Sequence, residues 1–173
     1  MPKQLPITTY GMEILRIKTK PVTKIDSKII NLVEDMFYTM DRSAGIGLAA
    51  PQINSGVSIA VIDISALEEY KKEKPLVLIN PSIIDSNGEH EREEGCLSIP
   101  DIRAEVIRSK EIFLRYYDFD LKEVDIELKG FMARVAQHEI DHLNGKFYID
   151  HLPLVPRMKI KRDITKRKRT GLF

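Results

Sequence analysis

The chain has little cysteine, no long apolar run and almost no net charge, and each shortage narrows what it can be. One cysteine, Cys96, stands in 173 residues, so no intrachain disulfide forms and a reducing compartment fits better than secretion. Met1-Pro2-Lys3-Gln4-Leu5-Pro6 lacks the apolar run of a signal peptide, and no segment approaches the ~20 apolar residues of a membrane span. A soluble, cytoplasmic protein with no membrane partner is the expectation. Internal repeats and low-complexity linkers are missing too, and no Gly-Lys-Ser/Thr follows the glycine-rich stretch, which excludes a phosphate-binding loop.

What is present is a mixed composition with enough apolar residues for a core, 43% hydrophobic against 31% charged. The length suits a single catalytic domain over 1–173. Net charge is +1, yet Arg157 to Thr170 holds eight Lys or Arg against the single Asp163, a local +7 that leaves about −6 for the remainder. A basic helix or tail over 155–173 is expected, either solvated and frayed or placed to meet a polyanion such as RNA.

Apolar residues at Ile29, Ile30, Val33, Met36, Phe37 and Met40 recur with helical spacing behind Asp26 or Ser27 as N-cap, and predict an amphipathic helix over 27–40. Short β-rich runs follow at 58–64, 76–84, 103–108, 111–117 and 123–128, with a hairpin turn at Asp118-Phe119-Asp120. A second helix is predicted from Gly130 to Leu143, closed by Asn144-Gly145. Strands and helices do not alternate. The fold class read from this order is α+β, with antiparallel or mixed sheets surrounding a central metal-binding helix and a C-terminal basic helix.

The chemistry concentrates in Gln137-His138-Glu139-Ile140-Asp141-His142. Histidines four apart share one helix face and can bind one metal ion, while the glutamate beside the first is placed as a general base. Two histidines on a helix also serve packing or solubility, so a third ligand decides. Asp150 and Asp163 lie downstream without a typical helical spacing, and His151 is possible but lies just beyond the helix cap; Cys96, in Glu94-Gly95-Cys96-Leu97-Ser98, is the better candidate. One thiolate and two imidazoles leave a position open for water, as catalytic rather than structural sites do. In Gly45-Ile46-Gly47-Leu48-Ala49-Ala50-Pro51-Gln52, small residues permit close approach and the Gln52 amide can donate to a developing oxyanion. Asp141 needs a cationic partner, for which Arg103 and Arg108 are candidates.

In this order the three segments, GIGLAAPQ, EGCLS and QHEIDH, resemble the peptide deformylases, and the likeness covers most of residues 1–150. The resemblance implies metal ligation by Cys96, His138 and His142, general acid/base work by Glu139, and oxyanion donation by Gln52 and the Leu97 N–H. It also implies attack of metal-bound hydroxide on the N-formyl group of the initiator methionine of nascent peptides, with release of formate. Gly47 and Gly95 would border a site too narrow for acetyl, with Ile46, Phe131 and Val135 around the methionine side chain. Ligand preference alone reads Zn(II), whereas the family implies Fe(II) as the physiological ion, with zinc often recovered on purification. The basic tail resembles the terminal helix with which bacterial members dock on the ribosome. A zinc endopeptidase and a ribosome- or RNA-binding protein with an inactive metal site are the competing readings.

Overall fold

The computed structural model describes residues 1–171. Helix α1 (Ser27–Arg42) begins at Asp26, whose carboxylate accepts from the backbone N–H groups of Lys28 and Ile29, two of the donors a helix start leaves unpaired. Strands β1 (Gly47–Ala49), β2 (Ile59–Ile62), β3 (Leu76–Asn87), β6 (Glu111–Tyr117) and β7 (Glu123–Lys129) form one antiparallel sheet in the order β1-β2-β3-β6-β7. Between β3 and β6 the chain makes a separate antiparallel hairpin, β4 (His90–Cys96) with β5 (Ile99–Arg108). Helix α2 (Gly130–Leu143) follows β7, and α3 (Leu154–Arg169) closes the described chain.

Strand β2 reads Ile-Ala-Val-Ile without alternation because both of its faces are covered. Ala60 and Ile62 pack with Ala133, Ala136 and Ile140 of α2, while Ile59 and Val61 pack with Val33, Met36 and Met40 of α1. A third cluster, including Leu15, Ile99, Val106, Phe147 and Tyr148, fills the space beneath the hairpin and takes Ile164 from α3. Helix α2 therefore has two working faces. One is buried on the sheet, and the other carries Arg134, His138, Asp141 and His142, spaced by three or four residues, toward β4 and β5.

The α+β class, the antiparallel pairing and both early helices stand as expected. Several strand limits do not. β2 stops at Ile62, since Asp63 turns the chain by accepting from the N–H and hydroxyl of Ser65. β3 runs on through Asp85-Ser86-Asn87, a turn-like sequence held straight by its pairing with β6. β5 begins at Ile99 and includes Pro100, tolerated because a two-stranded hairpin leaves an outer edge that needs no donor. β4 was not anticipated as a strand: His-Glu-Arg-Glu-Glu has no apolar alternation, and Glu94 is its one fully buried member. The basic segment forms a helix anchored by Ile164, 1% exposed, rather than a frayed tail; its last positions, 172 and 173, lie outside the described residues.

Candidate active site

Helix α2 brings His138 and His142 one turn apart, and the end of β4 brings Cys96 against them. His142 Nε2 lies 3.2 Å from Cys96 Sγ and 3.2 Å from His138 Nε2. Among the described residues, the ligand atoms of Cys96, His138 and His142 all lie within 4.8 Å of one another. Ligand atoms around one tetrahedral ion are separated by ~3.3–3.6 Å given the usual metal–sulfur and metal–nitrogen lengths, so the three fit a single dication with little adjustment.

The protonation pattern points the same way. Glu94 Oε2 lies 3.0 Å from His138 Nδ1, which makes Nδ1 the protonated nitrogen and leaves the Nε2 lone pair facing Cys96 and His142. Burial pushes the Cys96 thiol up, but the neighbouring His142 and His138 imidazoles outweigh it and hold the thiol well below its ordinary value, toward the thiolate a metal ligand must be. Converging electron pairs in a buried place call for a cation.

Glu139 lies beside this cluster, 4% exposed, with Oε2 buried and without a hydrogen-bond partner among the described residues. Burial raises its carboxyl to about 7, against the opposing pull of His138 and His142. The carboxylate fits only because residue 47 is glycine, since a Cβ there would stand 2.3 Å from Glu139 Oε1.

Gln52 sits in a short 3-10 turn (Ala50–Ile53) directly after β1. Its Oε1 accepts the Ala49 N–H at 2.8 Å, which fixes the amide and turns Nε2 inward, 3.5 Å from Cys96 Sγ and 3.3 Å from Ser98 Oγ. Leu97 occupies the two-residue turn of the β4–β5 hairpin, next to the Cys96 ligand.

A cavity of about 790 Å³ opens in front of these groups. Ile46, Gly47, Gly95, Phe131 and Val135 all line it, together with Gln52, Cys96, Leu97, His138 and Glu139. His142 stands behind, packed edge-on against Phe147. The structure thus brings Gln52, Cys96, Leu97, His138, Glu139 and His142 to one place, while His151, weighed as a ligand, instead pairs with Asp141 at 2.7 Å.

Sequence reasoning missed a buried charge network behind the ligands. Glu94 takes Arg108 on both carboxylate oxygens and Arg134 on one, in addition to His138. Burial alone would push the Glu94 carboxyl up; hydrogen bonds from His138 and Arg108 overcome that and bring it down to about 2. Arg108 continues to Asp141 at 2.8 Å, settling the choice between the two arginines, whereas Arg103 lies 3.6 Å from Glu93. Arg134 also donates to the carbonyls of His90 and Val106, so it binds the hairpin to the helix. One signal was available: Arg134 precedes His138 by one turn, on the same helix face.

Fold and site together define an α+β metal-dependent hydrolase with a Cys/His/His centre and a buried carboxylate. Residues 4–157 match the polypeptide deformylase family. A peptide deformylase of Chlorobium phaeobacteroides is 46% identical over 160 residues, covering 92% of this chain and 85% of that one. The crystal structure of a peptide deformylase from Legionella pneumophila superposes with a TM-score of 0.88 at 38% identity, covering 98% of both chains. A class I type b peptide deformylase from Acinetobacter baumannii, solved with Met-Ala-Ser bound, has a TM-score of 0.83 at 30% identity over 88% of this chain and 100% of that chain. The chain belongs to the polypeptide deformylase family. Among the described residues, no helix is long and apolar enough to cross a membrane.

Proposed function

We propose that this protein hydrolyses the N-formyl group from the initiator methionine of nascent polypeptides, releasing formate. The observation that carries this reading is the convergence of Cys96, His138 and His142 beside a buried Glu139 whose Oε2 has no protein partner, in a chain of this family. A divalent ion on those three ligands supplies Lewis-acid chemistry, acidifying a water and polarising the formyl carbonyl. Glu139, with a carboxyl near neutrality, accepts the proton of the attacking water and returns it to the departing amine. Charge gathering on the formyl oxygen is met by Gln52 Nε2 and by the Leu97 N–H. The Ala49 contact holds the Gln52 donor in place beforehand, so little reorganisation accompanies the reaction.

Gly47 and Gly95 keep the reacting end of the cavity narrow, which suits a carbon bearing only hydrogen. Ile46, Phe131 and Val135 supply apolar walls for the methionine side chain, and the Acinetobacter relative is described with a peptide that begins with methionine. The donor set accepts zinc, and the family relation favours Fe(II) as the physiological ion. A cytoplasmic setting suits a thiolate ligand, which oxidation would destroy. The exposed lysines and arginines of α3 form a surface for the ribosome.

The decisive experiment is formate release from a formyl-Met-Ala-Ser peptide by anaerobically purified protein loaded with Fe(II) or Zn(II), with Glu139→Ala as control. Release that requires Glu139 supports the reading. Cleavage of unblocked peptides, or no release with a filled site, overturns it.

A further inference from the structure

The cavity mouth carries three guanidinium groups, and their partners differ. Arg134 is buried against Glu94, and Arg103 lies 3.6 Å from Glu93. Arg92 lines the same cavity from β4, exposed, and has no carboxylate within ion-pair distance among the described residues. Three acids of the cavity lining are paired elsewhere: Glu94 with Arg108 and Arg134, Glu93 with Arg103, and Asp101 at 3.9 Å with Arg167 of α3.

Arg92 is also held in place. Its guanidinium carbon lies 4.6 Å from the centre of the Phe131 ring, a cation–π contact. Phe131 is itself a wall of the cavity, seven residues before His138 on α2. The charge is therefore fixed at the rim of the proposed methionine pocket and does not sweep freely through solvent.

Distance along the strand selects what it meets. Four positions separate Arg92 from the Cys96 ligand, ~13 Å of extended chain. A peptide whose formyl group is at the metal spans that distance with its first three or four residues, and the long arginine side chain shortens the gap. We infer that Arg92 is a specificity-determining residue that favours substrates with Asp or Glu within the two residues after formyl-methionine. This rests on the deformylase reading above and adds a substrate subclass to it.

Because Arg92 lies far from the reacting carbon, its contact is the same in ground and transition states. It acts on KM and leaves kcat nearly unchanged. An exposed ion pair supports a discrimination of about fivefold, larger at low salt.

The test compares kcat/KM for formyl-Met-Asp-Ala-Ser, formyl-Met-Lys-Ala-Ser and formyl-Met-Ala-Ala-Ser, and for the same set with the charge moved to the third residue. Wild type, Arg92→Lys and Arg92→Glu are assayed at low and high salt, and binding of the corresponding formyl-free peptides is measured by calorimetry. The expected result is an acidic over basic preference of about fivefold in wild type, retained in part by Arg92→Lys and inverted by Arg92→Glu. The calorimetric order should match. Equal rates for acidic and basic peptides in wild type, or an acidic-to-basic ratio that Arg92→Glu leaves unchanged, each overturns the inference. No release from the neutral peptide by wild type is instead a failure of the deformylase reading.

Discussion

Glu94 and His138 are joined by a 3.0 Å contact between a carboxylate oxygen and the ring nitrogen turned away from the other ligand atoms. The same carboxylate holds Arg108 and Arg134, and Arg108 reaches Asp141, the residue immediately before His142. The orientation of the helix-borne ligands is thus tied to the strand that supplies Cys96. Removing one member leaves buried cations without their counter-charge.

Glu94→Gln replaces a carboxylate oxygen by an NH2 group in a place crowded with donors. Metal affinity is expected to fall by 10- to 100-fold, and unfolding stability by about 3 kcal/mol. Chelator competition and denaturant titration of the loaded protein measure the two losses. An unchanged affinity would show that packing alone orients His138.

Gly47→Ala puts a methyl group where Glu139 Oε1 now sits. The ligand residues are untouched, so metal content should remain at the wild-type level. Displacing the proton-carrying carboxylate by ~1 Å is expected to lower turnover by about a hundredfold. Elemental analysis beside kcat separates that outcome from simple metal loss.

In the proposed reaction Gln52 has two jobs that substitution can divide. Gln52→Leu removes both the inward donor and the acceptor of the Ala49 N–H, so a hundredfold or greater fall in turnover should accompany a stability loss of about 1–3 kcal/mol. Gln52→Glu keeps the acceptor, and the rate loss should remain with a smaller change in stability. Near-normal turnover in both variants would remove Gln52 from the reaction.

The Arg16–Asp150 pair gives a pH-dependent increment. Burial pushes the Asp150 carboxyl up, but Arg16 and the Phe147 N–H outweigh it and hold the value below the ordinary one. With the folded value lowered, the contribution is fully present above the unfolded value of ~3.9 and disappears as pH falls through the folded one. Since the pair is partly solvated, Asp150→Asn should cost about 1–2 kcal/mol near pH 7. Thermal melts of both proteins should converge as pH falls below that lowered folded value; a constant gap would assign the loss to another cause.

The buried anchor of α3 and its proposed ribosomal surface separate by residue. Ile164 is buried, and Ile164→Ala is expected to lower stability by about 2–4 kcal/mol. Lys166 and Arg169 are exposed, so reversing both charges should leave the melting temperature and formate release unchanged while weakening cosedimentation with ribosomes, most visibly at low salt. Undiminished cosedimentation would remove α3 from the ribosomal surface.

Helix α2 was legible because its periodicity, its Gly145 stop and its paired histidines all lie within sixteen residues. Gly145 has φ +71°, and a Cβ there would meet the Arg16 carbonyl oxygen at 2.5 Å, so glycine is required on both counts. Strand β4 was not legible. Its charged residues find their partners 10 to 44 positions away, as Glu93 does with Arg103 and Glu94 with Arg108, Arg134 and His138, and no local pattern encodes such distances.

By itself the sequence determined the donor chemistry, the spacing of the two histidines and the presence of a base beside them, because one helical turn fixes i and i+4 on a common face. Tertiary structure alone decided that Cys96 comes within reach of both histidines, that Arg108 rather than Arg103 takes Asp141, and that Arg92 stands without a carboxylate at the cavity mouth. The physical reason is range. Backbone geometry carries information across a few residues, whereas ligand closure and charge pairing depend on how a two-stranded hairpin packs against a helix that begins more than thirty residues later.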